Sequence, residues 1–215
     1  MKVGSLASCI ILLTLVLFVL SMGAQATEYR EVKAKKVLEQ IESGKDVNLT
    51  GCRIVGELNA SEIKLETVPN PYFYKLVKEG NYKETLISLG YCENLHVIGS
   101  KITIKESIIE NGSNFSGVLF KNTVIFKDVN FYDSADFRNV NFNDSADFTN
   151  ANFNRCAFFS GRFSRTNFNR SAYFSGANFN DSAYFYGVNF NDSANFNAAN
   201  FIASADETFY YFLVF

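Results

Sequence analysis

Large apolar residues recur along this chain at alternating steps of five and six. From Ile98 they fall at Ile104, Ile109, Phe115, Phe120, Phe126, Phe131, Phe137, Phe142, Phe148 and Phe153. They resume from Phe168 at Phe174, Phe179, Phe185, Phe190, Phe196 and Phe201. Neither regular element has this period, because a buried helix face repeats at three and four residues and a strand face at two. A step of five or six fits a chain that turns a corner in every unit. Around each centre the order is small, polar, large, polar, polar, as in Ala135-Asp136-Phe137-Arg138-Asn139. The small and the large residue are two apart, so both point to one side of a short extended segment. The Asn, Asp, Ser and Gly residues between centres suit turning. Four such sides close a coil, and coils stack at about 4.8 Å, the spacing of paired strands. Each unit is then stable only through its neighbours.

Two irregularities sit on this rhythm. An extra residue, usually Ser, follows every second unit at Ser134, Ser145, Ser171, Ser182 and Ser193, and a wider corner is expected there. The stretch from Cys156 to Arg170 is longer by four than the paired units around it. It divides into three bare pentads, CAFFS, GRFSR and TNFNR, with centres Phe158, Phe163 and Phe168 behind the small residues Cys156, Gly161 and Thr166. Counted so, twenty centres from Ile98 to Phe201 make five coils, a rod of roughly 24 Å. The ladder of Phe centres supplies most of its drive to fold.

The A-(D/N)-F-x-x unit resembles the pentapeptide repeat family, firmly from Ile98 to Ala203 and loosely from Val47 to Leu65. The resemblance implies an all-β fold: a right-handed quadrilateral β-helix with the central Phe and the preceding small residue inside. A short N-terminal capping helix is expected to complete it.

Residues 1–26 read as a signal peptide, with Lys2, an apolar run from Cys9 to Leu20, and Ala24-Gln25-Ala26 before Thr27. The alternative is an uncleaved membrane anchor over residues 3–24, which carry no charge. Residues 27–46 form the helical cap, whose helix from Glu31 to Ser43 buries Val37, Leu38 and Ile41. Residues 47–65 make a first irregular coil. Residues 66–95 hold both prolines and break the rhythm as an insertion. The repeat block runs over 96–204, and 205–215 is an apolar tail in which Glu207 takes the slot of a Phe. Burial of that tail on the last coil is expected, with a homodimer through the C-terminal end as the alternative.

Chemistry is sparse. His96 is the only histidine, and one His without a cluster of ligands reads as structural. Asp136, Asp144, Asp147, Asp181 and Asp192 could line up for Ca²⁺, but they recur because the repeat recurs. The corner serines have no partnered base. No catalytic, cofactor-binding or metal residue is assigned, and no cofactor is expected. Export permits disulfides, and the pairing of Cys52 with Cys92 is left open against three separate buried thiols, Cys156 being the third. Eight N-x-S/T sequons, at Asn48, Asn59, Asn111, Asn114, Asn143, Asn169, Asn180 and Asn191, are acceptors wherever the host glycosylates.

The export signal, the flat polar faces and the absence of a catalytic cluster point to an extracytoplasmic structural or interaction solenoid, secreted or at the cell surface, with a protein or surface component as partner. Tyr173 and Tyr184 lie at outward positions, where aromatics suit such contacts. The family resemblance also brings a second reading, a DNA mimic that protects type II topoisomerases. Between Phe115 and Ala205, 7 basic residues balance 7 acidic ones, so the rod copies a polyanion poorly. No nucleic-acid partner is expected, since no basic face is visible either.

Overall fold

The computed structural model describes residues 28–161 and 164–202. The expected signal segment and the apolar tail lie outside the described residues. From Asn94 onwards the chain winds through four flat parallel sheets, one on each side of a square rod. We number the faces in chain order from β2 (Val47–Thr50) on face 1, β3 (Cys52–Val55) on face 2 and β4 (Leu58–Asn59) on face 3. Face 4 starts with β6 (Asn94–Ile98).

Each strand pairs with the strand one coil away, and like stacks on like. Phe120 meets Phe142, Val124 meets Ala146, and Phe131 meets Phe153. The inward rings form parallel stacks, with centroids 4.7 Å apart for Phe131–Phe153 and 5.0 Å for Phe153–Phe179. Rings on adjacent sides can meet edge to face, as Phe153 on face 2 and Phe159 on face 3 do at 81°. Small and large residues compensate in volume. Ile104 is preceded on its strand by Ile102, whereas Phe148 is preceded by Ala146. Both fillings leave their rung fully buried.

The corners are of two kinds. Those from face 1 to face 2 and from face 3 to face 4 are tight. Apart from the corner between Phe159 and Thr166, each carries one residue in the left-handed region: Glu106, Gly117, Asp128, Asn139, Asn150, Gly176, Gly187 and Ala198. The other two corners hold the extra residue. Where Asp precedes Ser there, a side-chain turn forms in which the Ser N–H donates to the Asp, as Ser145 does to Asp144 Oδ1 at 2.8 Å. At Gly176, with φ of 66°, an added Cβ would run into Asn150 Oδ1. Gly176→Ala should therefore cost about 1–2 kcal/mol in urea unfolding. Ala198→Gly, which relieves the same conformation, should be neutral or stabilising by up to about 1 kcal/mol.

The register corrects the pentad reading of residues 156–170. Ala157 pairs with Ala135, and Phe159 stacks on Phe137 at 5.1 Å. Phe159 is fully buried, while Phe158 faces outwards on the row of Asp136 and Tyr184. The small residue is Ala157, and Cys156 takes the place of the extra corner Ser. Ser160–Gly161 then pairs antiparallel with Ser164–Arg165, a hairpin inserted at a tight corner. Thr166 and Phe168 rejoin face 4, where Phe142 stacks on Phe168 at 4.7 Å. The expected centre Phe163 lies outside the described residues. The step from Phe142 to Phe168 exceeds that from Phe120 to Phe142 by four, and this surplus goes into the hairpin. The rod has four complete coils from Ile98 to Phe185 and three sides of a fifth, Phe190, Phe196 and Phe201.

The N-terminal end is sealed by more than a helix. β1 (Arg30–Lys33) adds a parallel strand to face 2, with Val32 beside Ile54. Helix α1 spans Ala34–Glu42, shorter than the expected 31–43, because its first residues are spent on that strand. Ala34, Val37, Leu38 and Ile41 are buried against the first coil. Between β4 and β6 the chain leaves the coil. β5 (Thr67–Pro69) covers the edge of face 4 in antiparallel pairing. Helices α2 (Pro71–Lys78) and α3 (Lys83–Ser88) follow, anchored by buried Phe73 and Leu86.

Candidate functional site

Four flat walls leave little concavity, so the outer surface is the candidate site. Its positions flank each inward centre on either side. On faces 2 and 4 both flanks are mostly Asn, and the amides bond from coil to coil. Asn178 donates to Asn152, Asn180 to Asn154, Asn189 to Asn167 and Asn191 to Asn169, at 2.7–2.9 Å. These ladders use amides of the sequon residues Asn169, Asn180 and Asn191. Three other sequon residues accept backbone hydrogen bonds. Asn59 accepts from Ser61, Asn114 from the Ser116 N–H and Asn111 from the Gly56 N–H.

Nothing here gathers reactive groups. Among the described residues no three His, Cys, Asp or Glu side chains come together. The five carboxylates considered for Ca²⁺ separate. Asp136 is held by the guanidinium of Arg138 on face 3, and Asp147 on face 1 accepts the Thr149 N–H. Asp144 and Asp192 share a corner column with Arg170 between them, and Asp181 follows Arg155 on the other wide corner. Alternation of sign avoids stacking like charges at one coil's spacing. The Thr123 hydroxyl and the Ser145 N–H, with Arg170 and Lys101 nearby, hold the Asp144 carboxyl below its ordinary range. His96 sits in a small-residue slot opposite Thr67 and below Val118, and its Nδ1 is buried without a hydrogen bond.

All three cysteines of the described chain are free, which settles the open Cys52–Cys92 pairing against a bridge. Cys52 is fully buried at the foot of face 2. Burial raises the Cys92 thiol, despite Asn139 and Arg138 beside it, and also raises Cys156. Thiol titration of the native protein should therefore modify Cys156 first, Cys92 slowly, and Cys52 only on unfolding. Peptide mapping under non-reducing conditions that recovered a Cys52–Cys92 bridge would contradict this.

Face 3 differs from the amide walls. Its outward row runs Asn114, Asp136, Phe158, Tyr184. Arg138 lies over the Phe158 ring at 5.4 Å, and Phe158 stacks on Tyr184 at 5.1 Å. Tyr184 is 42% exposed and Tyr186, two residues on, 57%. Tyr173, the other aromatic singled out in the sequence, stands on face 1 above Asp147. The face 3 to face 4 corner is where the insertion and the hairpin meet. Arg165 of the hairpin covers the ring of Tyr72 in α2 at 5.1 Å. Cys92, at the end of the insertion, lies against Gly117 on the same corner, and Arg165 lies against Gly187. Neither the row of outward aromatics nor this meeting point is visible in the sequence, because both join residues far apart in it.

Residues 163–206 match the family model for pentapeptide repeats (9 copies). No curated protein and no solved structure matches the chain. The described part of the matched stretch continues, with the same register and the same inward pair, the coils that begin at Ile98, so the likeness to pentapeptide repeats that the family model detects in residues 163–206 extends in structure to the coils before them.

Proposed function

We propose that this protein is a non-catalytic interaction scaffold that works outside the cytoplasm. The observation that carries the reading is how the surface is used. The amides of faces 2 and 4 are engaged in holding the coils together, and the aromatic exceptions face outwards on flat walls. Pentapeptide repeat proteins are generally structural or interaction proteins. Flat faces with Tyr and Arg suit protein contacts more than catalysis, which needs a cleft and partnered groups. Lys2, the apolar run and Ala24-Gln25-Ala26 support the location. Among the described residues no helix is long and apolar enough to cross a membrane.

Fractionation with N-terminal sequencing of native material tests the location. Mature protein starting at Thr27 outside the cytoplasm is expected. Recovery of residues 1–10 on a membrane-bound chain would favour the anchor, and a cytoplasmic chain would overturn the reading. Self-association through the C-terminal end, where Phe190 and Phe196 are only partly buried, is a second proposal. Light scattering that gave a monomer at all concentrations would remove it.

A further inference from the structure

We propose that the strip formed by Phe158, Tyr184, Tyr186, Arg165 and Tyr72 is the partner-binding face of the rod, and that it takes an extended peptide segment bearing a carboxylate. This rests on the interaction-scaffold reading and gives it a place and a partner class.

The coil arithmetic supplies the first argument. From Ile98 to Phe201 the chain departs from it once, by four residues, and before Asn94 it departs once more, by the insertion. The two departures are far apart in sequence and meet at one corner through Arg165 and Tyr72. The fold does not require either of them there. Two other coils close that corner with a single left-handed glycine, Gly117 or Gly187. In repeat proteins, insertions map to loops on one face, often the face that binds.

The second argument is chemical. An outward flank in this rod is ordinarily Asn, Asp or Ser, and three on this strip are aromatic. Arg138, at its edge, is neutralised by Asp136. Among the described residues no carboxylate pairs with Arg165, whose guanidinium rests on a ring instead. Lys75 beside it in α2 pairs with Glu79. The strip therefore offers flat rings and one guanidinium open to a carboxylate. Tyr and Arg are the side chains that most often dominate binding energy. Tyr184 ends the two-residue strand Ala183–Tyr184 and Tyr186 opens the turn that follows it, so the two outward rings flank the inward Phe185. An extended peptide laid beside them presents alternate side chains on one side, at roughly 6.6–7 Å.

The probe is a displayed random peptide library, panned on the wild-type full chain and counter-selected on Arg165→Glu. Enriched peptides should carry Asp or Glu next to an aromatic residue or proline. A synthetic peptide from the selection should lose about tenfold or more in affinity to Arg165→Glu and to Tyr186→Ala. Asn180→Ala on face 2 should leave binding unchanged. If Arg165→Glu lowers the thermal midpoint, the Tyr184→Ala, Tyr186→Ala double variant decides alone, since both rings lie outside the core. Peptides that bind these variants as well as wild type, or that are basic, overturn the proposal. So does a selection that yields no binder. An exported chain that binds no peptide here sinks this inference and leaves the scaffold reading standing. A cytoplasmic chain that does bind acidic peptides does the reverse.

Discussion

Phe159→Ala should lower the stability of the rod by about 3–5 kcal/mol, while its neighbour Phe158→Ala should cost about 1 kcal/mol. Phe159 is fully buried between Phe137 and Phe185, with centroids at 5.1 and 4.8 Å. It also meets Phe148, Phe153 and Phe174 edge to face. Truncation leaves a ring-sized cavity that stacked neighbours cannot close, because each is held by its own strand. Phe158 loses only its stack with Tyr184 and the guanidinium of Arg138. Phe142→Ala, another fully buried rung, should match Phe159→Ala, and Asn143→Ala on the outer wall should stay under about 1 kcal/mol. Urea unfolding separates the four variants. If Phe158→Ala proved the costlier of the adjacent pair, the register described for residues 157–168 would be wrong.

Removal of residues 28–42 should leave a chain that aggregates or does not fold. Three of the buried side chains of α1, Val37, Leu38 and Ile41, each contribute about 1.5–3 kcal/mol by burial. Their sum is a large part of the roughly 5–15 kcal/mol that stabilises an ordinary domain. The deletion also uncovers Leu49, Ile54 and Leu58, and strips β1 from the edge of face 2. An open parallel edge with an apolar interior recruits other chains. Light scattering of the truncated protein should show large species. A monomeric truncation with native unfolding would show that the first coil needs no cover.

The coil itself is legible in the sequence, since a five-and-six step admits no helix and no flat strand. Centres through Phe153 and from Phe168 onwards follow from counting. The stretch between them misleads because CAFFS holds two adjacent Phe residues, and a step of five selects the first. The better guide is the small residue, since Ala157 lies one whole coil beyond Ala135 whereas Cys156 does not. The tight corners are harder to see. Gly, Asn, Asp, Glu and Ala all occupy them, so no single letter marks the left-handed residue. β1 reads as part of the helix because REVK has charged residues around one Val, and only pairing with β3 makes it a strand. The aromatic strip cannot be read at all before the coils are stacked, since it depends on which residues lie one turn apart.

The two corner types set rules for how the gene can change length. Faces 2 and 4 share one pattern of amides and wide corners, and faces 1 and 3 share the other. An in-frame gain or loss of two units, half a coil, therefore keeps inside and outside intact, but rotates everything beyond it by half a turn about the rod axis. A change of four units restores every face to its own side, as the native register does from coil to coil. Between the insertion and the hairpin only the second kind is tolerable, because half a turn would carry Arg165 to the corner opposite Tyr72. Beyond the hairpin, toward Phe201, either step leaves that contact in place. Length variation in natural or engineered copies of this gene should follow that division: whole turns between the insertion and Tyr186, which keep the strip on one face, and half turns permitted after it.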